Sequence, residues 1–293
     1  MKVTNIQTNQ FINIGNSTNL QFSSAVPSDV AIFVGKNGSG KSILLEQVAY
    51  SSQGGISNTL QQMRQTMNSF PNQFKHLNVK VGFDFGSHDL KFDQTNNFLN
   101  NPQLTQSSGI CIYVPASRDF PAANDRRIQD MDFSYGQKLF IFDQGQENNF
   151  ERTLVSLSNK EIQAKHHNLG PTREAATLDR IRSAYRILFP DIELIGTYGF
   201  QFIAKKNGSL FPISSASHGE KQALILLTAL AKEPNLNDSV IIIDEPEIGL
   251  SKSIREKFIS SLQALSTNLQ IIVATHSKEV IESVDPTKII PVD

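Results

Sequence analysis

A glycine-rich segment near the start of the chain carries the clearest chemical signal. Gly35 is followed, after four intervening residues, by Gly40-Lys41-Ser42. The motif lies between the apolar run Val30–Val34 and a segment with helical spacing that begins at Ile43. In this position the glycines let successive N–H groups turn inward toward phosphate, at the positive end of a helix dipole. We expect Lys41 to neutralise phosphate charge and the Ser42 hydroxyl to bind Mg²⁺. The predicted phosphate-binding residues are Gly35, Asn37, Gly38, Ser39, Gly40, Lys41 and Ser42.

Two carboxylates end a uniformly apolar run later in the chain. Asp244 and Glu245 directly follow Val240–Ile243, and strand ends are where ligands meet an open α/β sheet. We expect Asp244 to hold Mg²⁺ through its water shell, and Glu245 to orient and deprotonate the water that attacks the terminal phosphate. Glu247 has two open interpretations, a buried acid behind the site or a solvated helix cap.

Two further polar groups stand at the ends of elements. His276 follows the apolar run Ile271–Ala274 after one threonine, and we expect its imidazole to hydrogen-bond the terminal phosphate and the attacking water. Ser217 precedes Gly219-Glu220 at the start of a helical pattern. On its own, that second pattern is typical of an ordinary helix N-cap.

The elements that must position these groups follow from the spacing of apolar residues. After residue 218 helix and strand patterns alternate, which predicts a parallel sheet with helices packed on it. Before that point we expect short strands within residues 1–22, a helix ending at Pro71, a hairpin around Gly86-Ser87, a buried strand over 109–114, helices within 148–189, and a hairpin at Asn207-Gly208. The later predicted elements are Gly219–Lys232, Val240–Ile243, Lys252–Leu265, Ile271–Ala274 and Lys278–Ser283.

The composition excludes several classes of protein. The 293 residues include 27 Lys+Arg and 28 Asp+Glu, for a net charge of −1, so a uniformly basic coat for nucleic acid is ruled out. The single cysteine, Cys111, excludes an internal disulfide and a thiolate metal cluster, which favours a cytoplasmic location. No apolar stretch approaches the roughly 20 residues that span a bilayer, and the N-terminus lacks a secretory apolar core. We therefore expect a soluble protein with no membrane contact.

Taken in chain order, these motifs resemble those of the ABC-type ATPase superfamily. The Gly-Glu-Lys ending at 219–221 and the Asp-Glu-Pro-Glu run at 244–247 are most similar to its soluble branch, which includes SMC, RecF and OLD-type ATPases. The resemblance implies an α/β P-loop NTPase head with a mixed sheet core, an antiparallel β-subdomain and a helical insertion. We expect one head over 1–293, with an N-terminal lobe at 1–145, the insertion at 146–190 and a C-terminal lobe at 191–293.

The same resemblance implies an activity and a partner. An ATPase of this kind hydrolyses ATP with Mg²⁺ and pairs head to tail, so that Ser217 and Gly219 contact a terminal phosphate held by the other chain's Lys41. We expect neither SMC-like coiled-coil arms nor the Toprim nuclease domain of OLD proteins. By analogy with small OLD-like ATPases, we expect a separately encoded nuclease or toxin as effector, in bacterial anti-phage defence. The sequence does not decide whether assemblies larger than the pair form.

Two other functions stay open at this point. One is a DNA-repair or DNA-maintenance ATPase of the RecF or SMC kind, for which a positive side formed by Arg173, Arg180, Arg182 and Arg186 would be the contact. The other is the ATPase subunit of a membrane transporter. The transporter alternative is disfavoured because the glutamine of a transporter-type Q-loop is absent from Ala116-Ser117-Arg118 and because the signature ends in Gly-Glu-Lys.

Other residues depart from the family pattern or carry weak signals. His218 replaces the usual first signature glycine, and Ser251 stands in the region of the usual D-loop aspartate. Arg118 has two open roles, near the phosphates or in an ordinary salt bridge. The adjacent pair His166-His167 favours a solvated face over a metal site, because adjacent helical residues point about 100° apart. Phe11 is the candidate for stacking on the adenine ring.

Overall fold

A computed structural model describes residues 1–13, 16–52, 78–84, 86–91, 109–116, 139–141, 150–233 and 235–292. Within those ranges the strands are β1 (Val3–Asn13), β2 (Asn16–Ala25), β3 (Val30–Val34), β4 (Asn78–Phe83), β5 (Gly86–Lys91), β6 (Cys111–Val114), β7 (Leu139–Ile141), β8 (Ile192–Tyr198), β9 (Gln201–Lys206), β10 (Ser209–Pro212), β11 (Val240–Asp244), β12 (Gln270–Thr275) and β13 (Ile289–Pro291). The helices are α1 (Lys41–Ser51), α2 (Phe150–His166), α3 (Arg173–Leu188), α4 (His218–Ala231), α5 (Lys252–Arg255), α6 (Phe258–Gln263) and α7 (Lys278–Glu282).

The central sheet has the strand order β13-β3-β12-β11-β6-β7, and all of its pairs are parallel. Alternate residues of its strands enter two different apolar cores. On β11, Ile241 and Ile243 pack with α2, α3 and α4, while Val240 and Ile242 pack with α1 and the N-terminal strands. Because both faces of the sheet are covered, apolar side chains are needed on both sides of these strands. This explains why the strands are continuous apolar runs in the sequence. The sheet draws strands from both predicted lobes.

The antiparallel strands form two separate sheets, ordered β2-β1-β4-β5 and β10-β9-β8. We expected a central sheet with mixed pairing. Among the described strands, parallel pairing and antiparallel pairing occur in different sheets. The turn between β9 and β10 falls at Asn207-Gly208, as predicted. Both residues have positive φ, 50° and 84°, which is the conformation that a tight hairpin of this type requires.

Three local predictions are wrong in detail. The N-terminal strands are long, 11 and 10 residues, because they pair with each other. Gly86 begins β5 and pairs with Phe83, so the turn lies before it. Asp84 in that turn is held by Lys2, whose O accepts from Asp84 N (2.9 Å) and whose N donates to Asp84 Oδ1 (3.1 Å). The segment 252–265 is two helices, because Lys257 N donates only three residues back, to Ile254 O (3.1 Å). The helix expected before Pro71 lies outside the described residues.

A buried carboxyl after α4 makes stability depend on pH. Glu233 is 8% exposed, and burial raises its pKa from 4.5 to about 7, against smaller opposing effects of Lys232 and Arg173. The folded chain therefore keeps this proton up to about pH 7, while the unfolded chain releases it near pH 4.5. The stabilisation is present at low pH and is lost as pH rises through that window.

We expect Glu233→Gln to reduce the loss of stability between pH 5 and pH 8 by roughly 1–3 kcal/mol, because the amide cannot ionise. Urea unfolding at the two pH values measures it. Glu193→Gln is the matched control, since Glu193 is exposed. Equal pH dependence of the parent and the Glu233 variant would show that this carboxyl does not titrate in the window.

Candidate functional site

The glycine-rich loop connects β3 to α1 at the carboxyl edge of the central sheet. Gly38 and Gly40 have φ of +81° and +88°, a region that side-chain-bearing residues rarely adopt. A Cβ at Gly35 would lie 2.1 Å from Val292 O, so the last described residue of the chain closes against the loop. Lys41 is buried, and its Nζ donates to Gly35 O (2.8 Å) and Lys36 O (3.0 Å). The ammonium group is therefore held within the loop that curls around it.

Asp244 lies at the end of β11 beside this loop. Its side chain is buried, and Ser42 hydrogen-bonds it. Burial raises the pKa of Asp244 to about 6, against the Ser42 hydrogen bond, with Glu245 adding to the rise and Lys41 opposing it. Glu46, on α1, is a second, half-buried acid here. Its pKa is raised to about 7 by burial and by Asp244, opposed by a hydrogen bond from Tyr113.

Glu247 is a buried acid, which decides between its two interpretations. Its Oε1 accepts a hydrogen bond from Thr275 Oγ1 (2.7 Å) and one from His276 N (3.3 Å). His276 Nδ1 lies 3.5 Å from the same oxygen and 3.7 Å from Glu245 Oε1. The two acids thus flank the imidazole, which is half exposed at 51%. Thr275, which the sequence analysis passed over, fixes Glu247.

Glu245 has an unusual backbone. Its φ is +45°, and its N–H donates to Ala274 O on the neighbouring strand (2.9 Å). Asparagine and aspartate tolerate this left-handed region, whereas for glutamate it is strained. The conformation bends the chain sharply at the end of β11 and leaves the Glu245 side chain partly exposed, at 31%.

We expect Glu245→Gly to be more stable to unfolding than Glu245→Ala by about 0.5–1 kcal/mol, because only glycine relieves the left-handed strain. Both variants lose the same carboxylate, so each serves as the other's control. Urea unfolding of the pair gives the difference. An alanine variant as stable as the glycine variant, or more so, would show that no strain is stored at this position.

Ser217 begins α4 in a complete capping box. Ser217 N donates to Glu220 Oε2 (2.8 Å), and Glu220 N donates to Ser217 Oγ (3.4 Å). The residue is exposed, and within the described part of the chain its side chain bonds to Glu220 alone. Gly219 is half-buried against the turn that follows the acidic strand end. The helix start is thus capped and open to solvent.

The polar groups present fit Mg²⁺. Asp244 Oδ1 and Glu247 Oε2 are buried with no hydrogen-bond partner in the described structure, and a hydrated cation would satisfy such oxygens. The described residues contain no cluster of three His, Cys, Asp or Glu side chains that forms a metal cage. Mg²⁺ usually binds through one or two protein groups together with nucleotide phosphates and water, and Ser42 and Asp244 match that pattern.

The structure brings together the residues expected to surround the triphosphate, and it gives other candidates ordinary roles. Arg180 donates to Ala231 O (3.2 Å) and Thr177 Oγ1 (3.1 Å), and Arg182 pairs with Glu161 (3.1 Å). These two arginines bind within the head. His166 and His167 are exposed and contact each other edge to face. Asn37 is exposed in the loop, whereas Arg118 and the Phe11 side chain lie outside the described residues.

A family model described as "AAA domain, putative AbiEii toxin, Type IV TA system" matches residues 112–282, more than half of the chain. The chain belongs to this family. Its fold is that of an SMC head: an SMC head domain from Thermotoga maritima aligns with TM-score 0.55 and 17% identity, over 97% of this chain and 93% of that one. No curated protein matches the chain.

Two further SMC structures align over 97% of this chain. An SmcHead bound to the C-winged helix domain of ScpA gives TM-score 0.56 at 15% identity, over 93% of that chain. A head domain with an extended coiled coil, bound to the C-terminal domain of ScpA derived from Pyrococcus furiosus, gives 0.52 at 14%, over 92%. This AAA-family chain is therefore a P-loop ATPase of the ABC type. None of its described helices has the length and apolarity to cross a membrane.

Proposed function

We propose that this ATPase is a switch whose two copies close head to tail around two ATP-Mg²⁺ and separate after hydrolysis. One observation carries the proposal. Lys41, Ser42 and Asp244 gather at one end of the sheet. Ser217 begins its helix in an exposed position, and among the residues that the structure describes its side chain hydrogen-bonds Glu220 alone. An exposed helix start favours an anion, and a phosphate held by a second copy is the ligand we assign to it.

Each residue around the triphosphate then has its own role in binding or hydrolysis. Lys41 binds the β- and γ-phosphates, and its position within the loop is already fixed by two carbonyls. Ser42 and Asp244 hold Mg²⁺, which when bound neutralises charge on the phosphate oxygens. Glu245 accepts a proton from the attacking water. His276 lies between two acids and hydrogen-bonds the terminal phosphate and the attacking water.

Glu247 acts through its neighbours. Its hydrogen bonds to Thr275 Oγ1 and His276 N fix the loop that carries the imidazole. A buried carboxylate oxygen 3.5 Å from His276 Nδ1 also restricts the orientation of the ring. Glu247 thereby orients His276 toward the nucleotide.

We further propose that the switch controls a separately encoded effector in anti-phage defence. The family description, which names a toxin and a toxin–antitoxin system, supports a defence role. Two of the similar SMC structures are bound to parts of ScpA, which supports a head that passes its state to a partner protein. A DNA-maintenance role is less supported, because Arg180 and Arg182 bind within the head.

The test is ATP turnover per chain as a function of chain concentration, measured with light scattering in the same solutions. We expect turnover per chain to rise steeply as the paired species forms and then to level off. Full turnover by a strictly single particle at every concentration would contradict pairing. For the effector, affinity purification of the native protein should recover one other chain repeatedly, and recovery of this chain alone would count against gating.

A further inference from the structure

The start of α4 lies beside the turn that follows the acidic strand end. A Cβ at Gly219 would lie 3.7 Å from Gly249 O and 3.9 Å from Ile254 Cδ1, so little space separates the two segments. Gly249 has φ +77°, and Leu250 after it is buried. A displacement of the helix start toward this turn would therefore press on Gly249–Leu250.

A chain of polar contacts, here called the outer tie, joins that turn to the loop of His276. Arg255 Nε donates to Leu250 O (2.9 Å), and its Nη1 lies 3.8 Å from Glu279 Oε2. The same Glu279 oxygen accepts from Ser277 Oγ (2.7 Å). Ser277 is buried at 6% exposure and directly follows His276. The Ser277 hydrogen bond, with a smaller effect of Arg255, holds the pKa of Glu279 below its usual range.

A second connection, the inner tie, reaches the same loop without using the turn's carbonyl. It runs from Glu247 to Thr275 Oγ1 (2.7 Å), which in turn accepts from Ser277 N (2.9 Å). The inner tie holds the backbone on which His276 is mounted. The outer tie adds a constraint that depends on the position of the Gly249–Leu250 turn, through Leu250 O.

We propose that the outer tie transmits occupancy of the helix start by a partner's nucleotide to His276, so that hydrolysis proceeds only in the closed pair. This inference rests on the proposed function and deepens it. Arg255 and Glu279 are then positioning residues, since neither contacts the nucleotide. The path runs from Ser217 and Gly219, through the Gly249–Leu250 turn and Arg255, to Glu279, Ser277 and His276.

The test separates closing from hydrolysis. In the full chain we expect Arg255→Ala to lower kcat by about tenfold to a hundredfold, the effect of a small misplacement of a catalytic group, with KM for ATP unchanged. In a Glu245→Gln background, ATP should still pair the Arg255→Ala copies as it pairs the parent. Glu279→Gln, a milder change, should lower kcat in the same direction. The double variant should be no slower than Arg255→Ala, because both residues act in one path. Glu256→Ala, exposed on the same segment, is the control.

The outcomes distinguish this inference from the function on which it rests. If the parent pairs and Arg255→Ala and Glu279→Gln both keep kcat within twofold, the outer tie is not a transmission path. The proposal also fails if the losses of kcat in the two single variants add up in the double variant. It fails likewise if KM for ATP or ATP-dependent pairing changes together with kcat. Either result indicates a general structural role. If the parent itself never pairs with ATP, the proposed function has failed first.

Discussion

Glu245→Gln should slow ATP hydrolysis by roughly 10²–10⁴-fold while leaving ATP binding intact, because it removes the proton acceptor and keeps the shape of the side chain. Bound ATP that is not consumed should hold the two copies together. The variant is thus expected to elute as a stable pair in ATP and as a single chain in ADP. Single-turnover hydrolysis and light scattering measure the two effects.

The control for this variant is Glu256→Gln, which makes the same chemical change at an exposed position on the following segment. It should turn over ATP at the parental rate and show no added tendency to pair. Normal turnover in Glu245→Gln would remove this carboxylate from the mechanism. Slow turnover without pairing would keep it as the base and count against the clamp.

Lys41→Ala should weaken nucleotide binding by roughly a hundredfold or more, because it removes the buried charge to which we assign phosphate binding. Two loop carbonyls already fix Lys41 Nζ, so the side chain loses little conformational freedom when ATP binds. Hydrolysis, pairing and any effect on an effector should be lost together. Titration with a fluorescent ATP analogue measures the affinity.

Lys36→Ala is the matched control, since it removes the same charge from an exposed side chain in the same loop. We expect it to change affinity only slightly, and the difference to shrink with added salt. Equal loss of affinity in both variants would mean that general loop charge, rather than Lys41, binds the phosphates.

The sequence predicts the site where function and local structure share one signal. The loop before Lys41 needs glycines both for its φ angles and for phosphate, and Val240–Ile243 is apolar because β11 is covered on both faces. These patterns are local, so the sequence alone predicts the loop and the strand. The short strands β7 and β13, three residues each, carry too few residues for any period and were missed.

The groups that act from a distance could not be predicted. Arg255 and Glu279 lie 24 positions apart and meet only because α5 and α7 pack side by side. Each looks like an ordinary surface charge on a short helix. Glu247 was ambiguous because its burial depends on Thr275 of the neighbouring strand. Arg180 and Arg182 suggested a basic face, yet their partners include backbone carbonyls and an acid supplied by other elements.

The most direct test of the shared pocket is to mix two inactive variants. Ser217→Arg keeps an intact phosphate loop but blocks the helix start, whereas Lys41→Ala keeps the helix start but loses the phosphate contact. A mixed pair contains one complete site, so adding Lys41→Ala to Ser217→Arg should restore ATP turnover in proportion to the mixed species. If the mixture is no more active than the two variants measured separately, the two copies do not complete each other's sites.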